Sequence, residues 1–143
     1  MNSVAVATTL GEIRILGISV RSELDLVELG ERGISKAALL RLARAMGLSL
    51  SQVAKLLPVT ERTLQRYAPN RKLSQPVTEQ AIHLATLYAK GIEVFEDDDR
   101  FRAWLRQPCR ALGGRIPFDL LRSRFGVEMV HDELIRIEHG VFA

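Results

Sequence analysis

Apolar side chains return at every third or fourth position between residues 35 and 47. Leu39, Leu42, Ala43 and Met46 form one stripe, bounded by Ser35 and Gly47. That spacing predicts an amphipathic helix with a polar start and a left-handed stop. Ser22 with Asp25 offers an N-terminal cap for an earlier helix through Arg32, with Leu24, Val27 and Leu29 as its apolar residues and Gly33 as its stop. Ser49 with Gln52 forms a capping box for a third helix that closes before Pro58, and Thr60 caps a fourth running to about Tyr67.

Residues 68–74 form a basic loop. Pro76 then suits the first turn of a long fifth helix ending near Glu93. Val77, Ala81, Leu84, Ala85 and Tyr88 give it one apolar face, which Ile82, Leu87 and Ala89 widen. A helix apolar on nearly all sides is either central to a fold or shared with a partner. A further helix carries Phe101, Trp104 and Leu105, with Trp104 expected in the core, acidic residues at its start and Pro108 at its end. Ala111 to Ile116 reads as a turn, Pro117 opens a short helix through about Arg122, and Gly126 breaks the pattern. Val127–Glu138 is the last helix, with Val130, Leu134 and Ile137 inward and Gly140 as its stop. Short strand-like pieces (Ile13, Ile15; Ile18, Val20) are conceivable near the start, with order expected from about Ile18. No segment sustains alternation of period two at strand length, so the expected fold class is all-α.

Composition narrows the function classes. The chain has 143 residues, 47% apolar and 26% charged, which is a globular balance for one domain or two small ones sharing a core. A single cysteine, Cys109, excludes an intramolecular disulfide. His83, His131 and His139 show no metal-ligand spacing, so no metal and no cofactor are expected. No apolar run approaches the length of a membrane span and no export signal is recognisable at residues 1–7, so the expected location is the cytoplasm. Catalysis needs a convergent constellation, and none is visible: Gly113-Gly114 is too short for a phosphate loop, and Asp97 to Asp99 lack the pattern of a calcium loop. The expectation is a protein that is not an enzyme.

Charge is uneven. Residues 35–73 carry eight cations (Lys36, Arg41, Arg44, Lys55, Arg62, Arg66, Arg71, Lys72) against Glu61 alone, whereas residues 93–99 carry five carboxylates and no cation. A polyanion is drawn to the first region and repelled by the second. The first region also holds the two short helices of residues 49–67, the layout of a helix-turn-helix that lays its second helix in the DNA major groove. Ala54 supplies the small residue where the helices cross, and Pro58 stands where glycine is usual. With Val59, Leu64 and Tyr67 inward, Thr60, Glu61, Arg62, Gln65 and Arg66 face out with groups able to read base edges. Lys55, Arg71 and Lys72 suit phosphates. One such unit covers little DNA, so a homodimer on an inverted-repeat operator is expected.

The apolar end Gly140-Val-Phe-Ala143 has two readings: a contact folded back on the last helix, or a plug for a partner's pocket. Trp104-Leu-Arg-Gln-Pro108, Ala111-Leu-Gly-Gly114, Ile116-Pro-Phe-Asp-Leu-Leu121, Gly126 and Leu134 to Ala143 together resemble the toxin-binding domain of the Xre/MbcA/ParS antitoxins. Gly33 to Leu42 and Gly47 to Arg66 are similar to the helix-turn-helix domain of the same family, and the likeness covers about residues 22–143. The sequence departs from the family pattern at Pro58, at Tyr67 (where a second basic residue is common) and over the first twenty residues. The resemblance implies an antitoxin of a type II toxin–antitoxin system that silences a cognate RES-domain toxin degrading NAD, represses its own operon, and assembles as a dimer into larger complexes with the toxin. It also implies that Ile137, Gly140, Val141, Phe142 and Ala143 cover the toxin's NAD pocket, with Arg110, Arg115, Arg122 and Arg124 adding charge pairing. The expected organisation is an N-terminal extension (1–21), a DNA-binding domain (22–75) and a dimerisation and toxin-binding domain (76–143). The alternative is a stand-alone transcriptional regulator whose second half only dimerises or senses a ligand.

Overall fold

The computed structural model describes residues 17–140, and the elements among them are helical. Seven α-helices are described: α1 (Glu23–Arg32), α2 (Lys36–Met46), α3 (Leu50–Ala54), α4 (Glu61–Arg66), α5 (Gln75–Phe95), α6 (Asp98–Leu105) and α7 (Arg124–Glu138). Two 3-10 turns, Arg110–Leu112 and Pro117–Leu120, lie between α6 and α7. Ile18 and Val20 form no strand, and the candidate strand residues Ile13 and Ile15 lie outside the described residues. The fold is all-α, as the spacing predicts. None of the described helices is long and apolar enough to cross a membrane.

The helix starts follow the cap signals. Ser22, Ser35, Ser49, Thr60 and Ser74 each accept a backbone N–H three residues on, which satisfies a donor that the first turn leaves unpaired. The capping box at Ser49 and Gln52 is complete in both directions. Gly47 takes φ 69° at the end of α2, and its N–H closes on the Ala43 and Arg44 carbonyls.

Helix α5 is the centre. It packs against α1, α2, α6 and α7, and buries Val77, Ala81, Ile82, Leu84, Ala85, Leu87 and Tyr88. Two of its buried polar groups, Thr78 and Gln80, serve as joints, while Thr86 Oγ1 is buried without a hydrogen-bond partner. Thr78 Oγ1 accepts the Ile34 N–H at 3.2 Å, and Gln80 Nε2 donates to the Leu121 carbonyl at 2.9 Å. A second link between the halves comes from Arg102 on α6, which donates to the Ala45 carbonyl near the end of α2 at 2.9 Å. One hydrophobic cluster therefore runs from Val20 to Leu134.

Four expectations change. Leu24 and Val27 are not core: they stand 62% and 54% exposed, and α1 turns Leu26, Leu29 and Gly30 inward instead. Trp104 is half-buried rather than enclosed, leaning on Phe95 and Phe101 at 5.7 and 6.2 Å between centroids. Ile137 is also only half-buried, whereas Val130 and Leu134 are fully enclosed. Gly126 does not break the last helix, which begins at Arg124 behind the cap Ser123. Its glycine serves packing: a β-carbon there would overlap the Leu120 carbonyl.

Gly126→Ala should therefore lower stability by about 1–3 kcal/mol despite alanine's better helix propensity, measured as a shifted urea midpoint. An unchanged midpoint would show that the Leu120 turn moves aside freely. His131 on α7 is buried with no partner for Nδ1, and burial pushes its pKa below 6.5. The unfolded chain then takes a proton that the folded chain resists, so stability should be level above about pH 6.5 and fall as pH drops below it. Urea titrations at pH 7.5 and 5.5 check this, and His131→Gln should remove part of the slope.

Candidate functional site: a helix-turn-helix face joined to a helical partner module

The turn after α3 is built without a left-handed residue. Leu56 and Leu57 donate to the Val53 and Ala54 carbonyls, Val59 donates to Leu57, and Pro58 stands outside. Glu96 is the only described non-glycine residue with positive φ, so Pro58 replaces the usual glycine by a turn that stays at negative φ. Ala54 is buried where α3 meets α4, and Leu64 anchors α4 in the core with Val59 and Tyr67 against its rim. That leaves Thr60, Glu61, Arg62, Gln65 and Arg66 exposed on α4, as expected.

Their side chains are not equally available. Thr60 Oγ1 accepts the Thr63 N–H and donates to the Thr63 hydroxyl, so it is committed to capping. Gln65 Nε2 donates to Glu61 Oε1 at 3.1 Å, one helical turn apart, and each holds the other's polar end. Arg62 and Arg66 have no ion-pair partner among the described residues. Tyr67, which replaces a basic residue of the family pattern, gives Arg71 a platform: the guanidinium lies 4.6 Å from its ring centroid. Lys72 is exposed on the loop that bridges to Ser35.

Lys36 has a role that periodicity does not show. Its ammonium donates to the Tyr67 carbonyl at 2.8 Å, capping the C-terminal end of α4. The backbone N–H groups of Lys36 and Ala37 at the start of α2 donate to the Arg71 and Pro69 carbonyls. The basic loop is thus sewn to α2 by the orphan donors of a helix start, a pairing that joins residues about thirty positions apart.

In the second half, Gly113 and Gly114 take φ 71° and 78°, closing a tight loop in which Cys109 and Arg115 pair. Arg110 and Arg115 are exposed on this loop. Arg122 is exposed just before α7, and Arg124 at its start pairs with Glu128 at 3.1 Å. Ile137 and Gly140 lie at the far end of α7, about 20 Å away by helical rise. The structure therefore sets Arg122 and Arg124 apart from Ile137 and Gly140. Val141, Phe142 and Ala143 lie outside the described residues.

Two apolar side chains on α7 stand in solvent: Phe125 is 81% exposed and Met129, one turn on, 49%. Neither is singled out by the periodicity, which marks only the buried stripe. At the other end of the same half, Lys90 reaches across from α5 to Glu138 at 2.9 Å, and that bond holds the Glu138 carboxyl below its ordinary pKa.

Comparison with known proteins matches two regions of the chain. The family model described as the Antitoxin Xre-like helix-turn-helix domain matches residues 25–85. The model described as the Antitoxin Xre/MbcA/ParS C-terminal toxin-binding domain matches residues 90–140. The Prs ADP-ribosylating antitoxin of Sphingobium sp. (strain YBL2) is 30% identical over 132 residues, covering 85% of this chain and 83% of the relative. In the crystal structure of the M. tuberculosis MbcT-MbcA toxin-antitoxin complex, one chain shares the fold with a TM-score of 0.56 and 22% identity, over 76% of this chain and 96% of that one.

Proposed function

Because the chain belongs to the Xre/MbcA/ParS family of antitoxins and carries its toxin-binding domain, we propose that it neutralises a cognate RES-domain toxin that consumes NAD. In this reading residues 76–143 dimerise and bind the toxin, while residues 22–75 bind the promoter of the chain's own operon. The observation that carries it is the order of the two matched regions on one shared core: a helix-turn-helix face at one end and a toxin-binding domain at the other.

Neutralisation works by occlusion. The antitoxin supplies no chemical step and denies the nucleotide access to the toxin's pocket. Helix α7 is rigidly held by Val130 and Leu134, and Gly140 takes φ 74° just before Val141, Phe142 and Ala143. Ile137, Gly140 and these three residues form the occluding end, and the exposed Phe125 and Met129 add apolar surface for a protein partner. Arg110 and Arg115 supply charge for pairing with the toxin. The Sphingobium relative is named for ADP-ribosylation. ADP-ribosyl transfer and NAD hydrolysis break the same bond to nicotinamide, so consumption of NAD is common to both, and product analysis separates them.

Autorepression rests on α4. Arg62 and Arg66 are the unpaired guanidinium groups on the face that enters the major groove, suited to guanine. A homodimer presents two such helices to an inverted repeat.

Two experiments test the two ends independently. Deleting residues 140–143 should abolish protection of NAD when the chain is co-expressed with its genomic neighbour, while promoter binding persists; retained protection would remove the occlusion mechanism. Arg62→Ala should cost about 1–3 kcal/mol on the cognate operator and relax specificity there, read by titration of operator against random duplex. Parental affinity and discrimination in that variant would show that α4 is not the reading helix.

A further inference from the structure

A cleft of about 430 Å³ lies between the two halves, where Lys55, expected to meet phosphate, and Arg122, expected to meet the toxin, share one space. One wall is α3 of the helix-turn-helix, with Gln52, and with Lys55 at its C-terminal cap. The other comes from the second half: Arg106 after α6, Phe118 in the second 3-10 turn, and Arg122. Three cations from three separate segments thus face one space. Asp119 is the only carboxylate among the described residues that line it. Among the described residues no carboxylate lies within ion-pair reach of Lys55, Arg106 or Arg122. Arg106 is held in place, its guanidinium 3.6 Å from the Phe118 ring centroid, a contact that fixes orientation while leaving its N–H groups free.

Three converging cations facing one carboxylate, with which none of them forms an ion pair, repel one another, and an external anion relieves that repulsion. The identity of the anion follows from the wall the cleft shares. The first helix of a helix-turn-helix crosses the DNA backbone while the second enters the groove. Gln52 and Lys55 are on that first helix.

We propose that this cleft receives a DNA backbone phosphate, with Arg106 and Arg122 of the toxin-binding half completing a site begun by Gln52 and Lys55. The inference rests on the reading that the chain binds DNA, and it moves Arg122 from the toxin surface to the DNA surface. The second half then fixes how the protein sits on the duplex without reading sequence, since phosphate contacts position and base contacts specify. Because the same half carries the toxin-binding domain, occupancy by DNA bears directly on the elements that bracket it, the turn before α7 and the segment after α6.

The test uses the full chain, alone and with bound toxin, titrated against its promoter fragment and a random duplex over a range of salt. Lys55→Gln, Arg106→Gln and Arg122→Gln should each lower the slope of log affinity against log salt, and the three together by about 0.9, the value for one lost phosphate contact. Affinity for the two duplexes should fall by the same factor, unlike the specificity loss expected for Arg62→Ala. Arg106→Lys should keep the slope. Lys55 and Arg122 are exposed and unpacked, so these two variants report even if loss of the Phe118 stack unfolds Arg106→Gln. An unchanged slope in the Lys55 and Arg122 variants overturns the proposal. So does loss of toxin copurification with DNA binding intact, which would return Arg122 to the toxin. A parent that binds neither duplex, seen before any substitution is made, removes the DNA reading and this site with it.

Discussion

A 21-residue helix that is apolar on nearly every side has to be surrounded, and this requirement organises the molecule. Water is excluded from α5 by α1 and α2 on the side of the first half, and by α6 and α7 on the side of the second. Small residues let the neighbours close in. At Gly91 a β-carbon would collide with the Phe101 ring, which Tyr88 meets edge-on at 5.1 Å. The close packing of that wall needs glycine at this point, because a filled core does not absorb an extra methyl group without strain.

Polar groups buried with α5 convert a sticky core into a specific one. An unpaired donor or acceptor in such a place costs about 1–3 kcal/mol, so the groups that do find partners favour one relative placement of the elements. Thr78 with Ile34 pins α5 to the start of α2, and Gln80 with Leu121 pins it to the turn before α7. Arg102 with Ala45 ties α6 to the end of α2. These three bonds set the helix-turn-helix face and the toxin-binding half on a common frame. Under the proposed function this frame joins two partners of opposite kind, a polyanion and a protein, through a body with little freedom to uncouple them.

The surfaces differ in how they are prepared. On α4, capping and the Gln65–Glu61 bond tie up three polar side chains and leave two arginines free. In the cleft beside α3, Phe118 orders a guanidinium that belongs to the other half of the chain. Pre-ordering of this kind reduces the entropy lost when a ligand arrives, and it comes here from tertiary packing alone.

The sequence by itself determined the helices and their ends. Cap residues act within three or four positions, so Ser22, Ser35, Ser49 and Thr60 are legible locally, and so are the buried stripe of α2 and the apolar girth of α5. The outward residues of α4 follow from the same short-range rule, once Leu64 is placed inward. Only the tertiary structure decided between competing stripes: Leu24, Leu26, Val27 and Leu29 allow several faces, and the packing of α1 on α5, which buries Leu29 and Gly30, selects one. It also decided that Gly126 meets the Leu120 carbonyl instead of ending a helix, that Lys36 caps α4, and that Arg122 stands with Lys55 instead of Gly140. Such pairings span up to some seventy positions, and spacing along a chain carries no information about which distant side chains will share one space until the core has closed around α5.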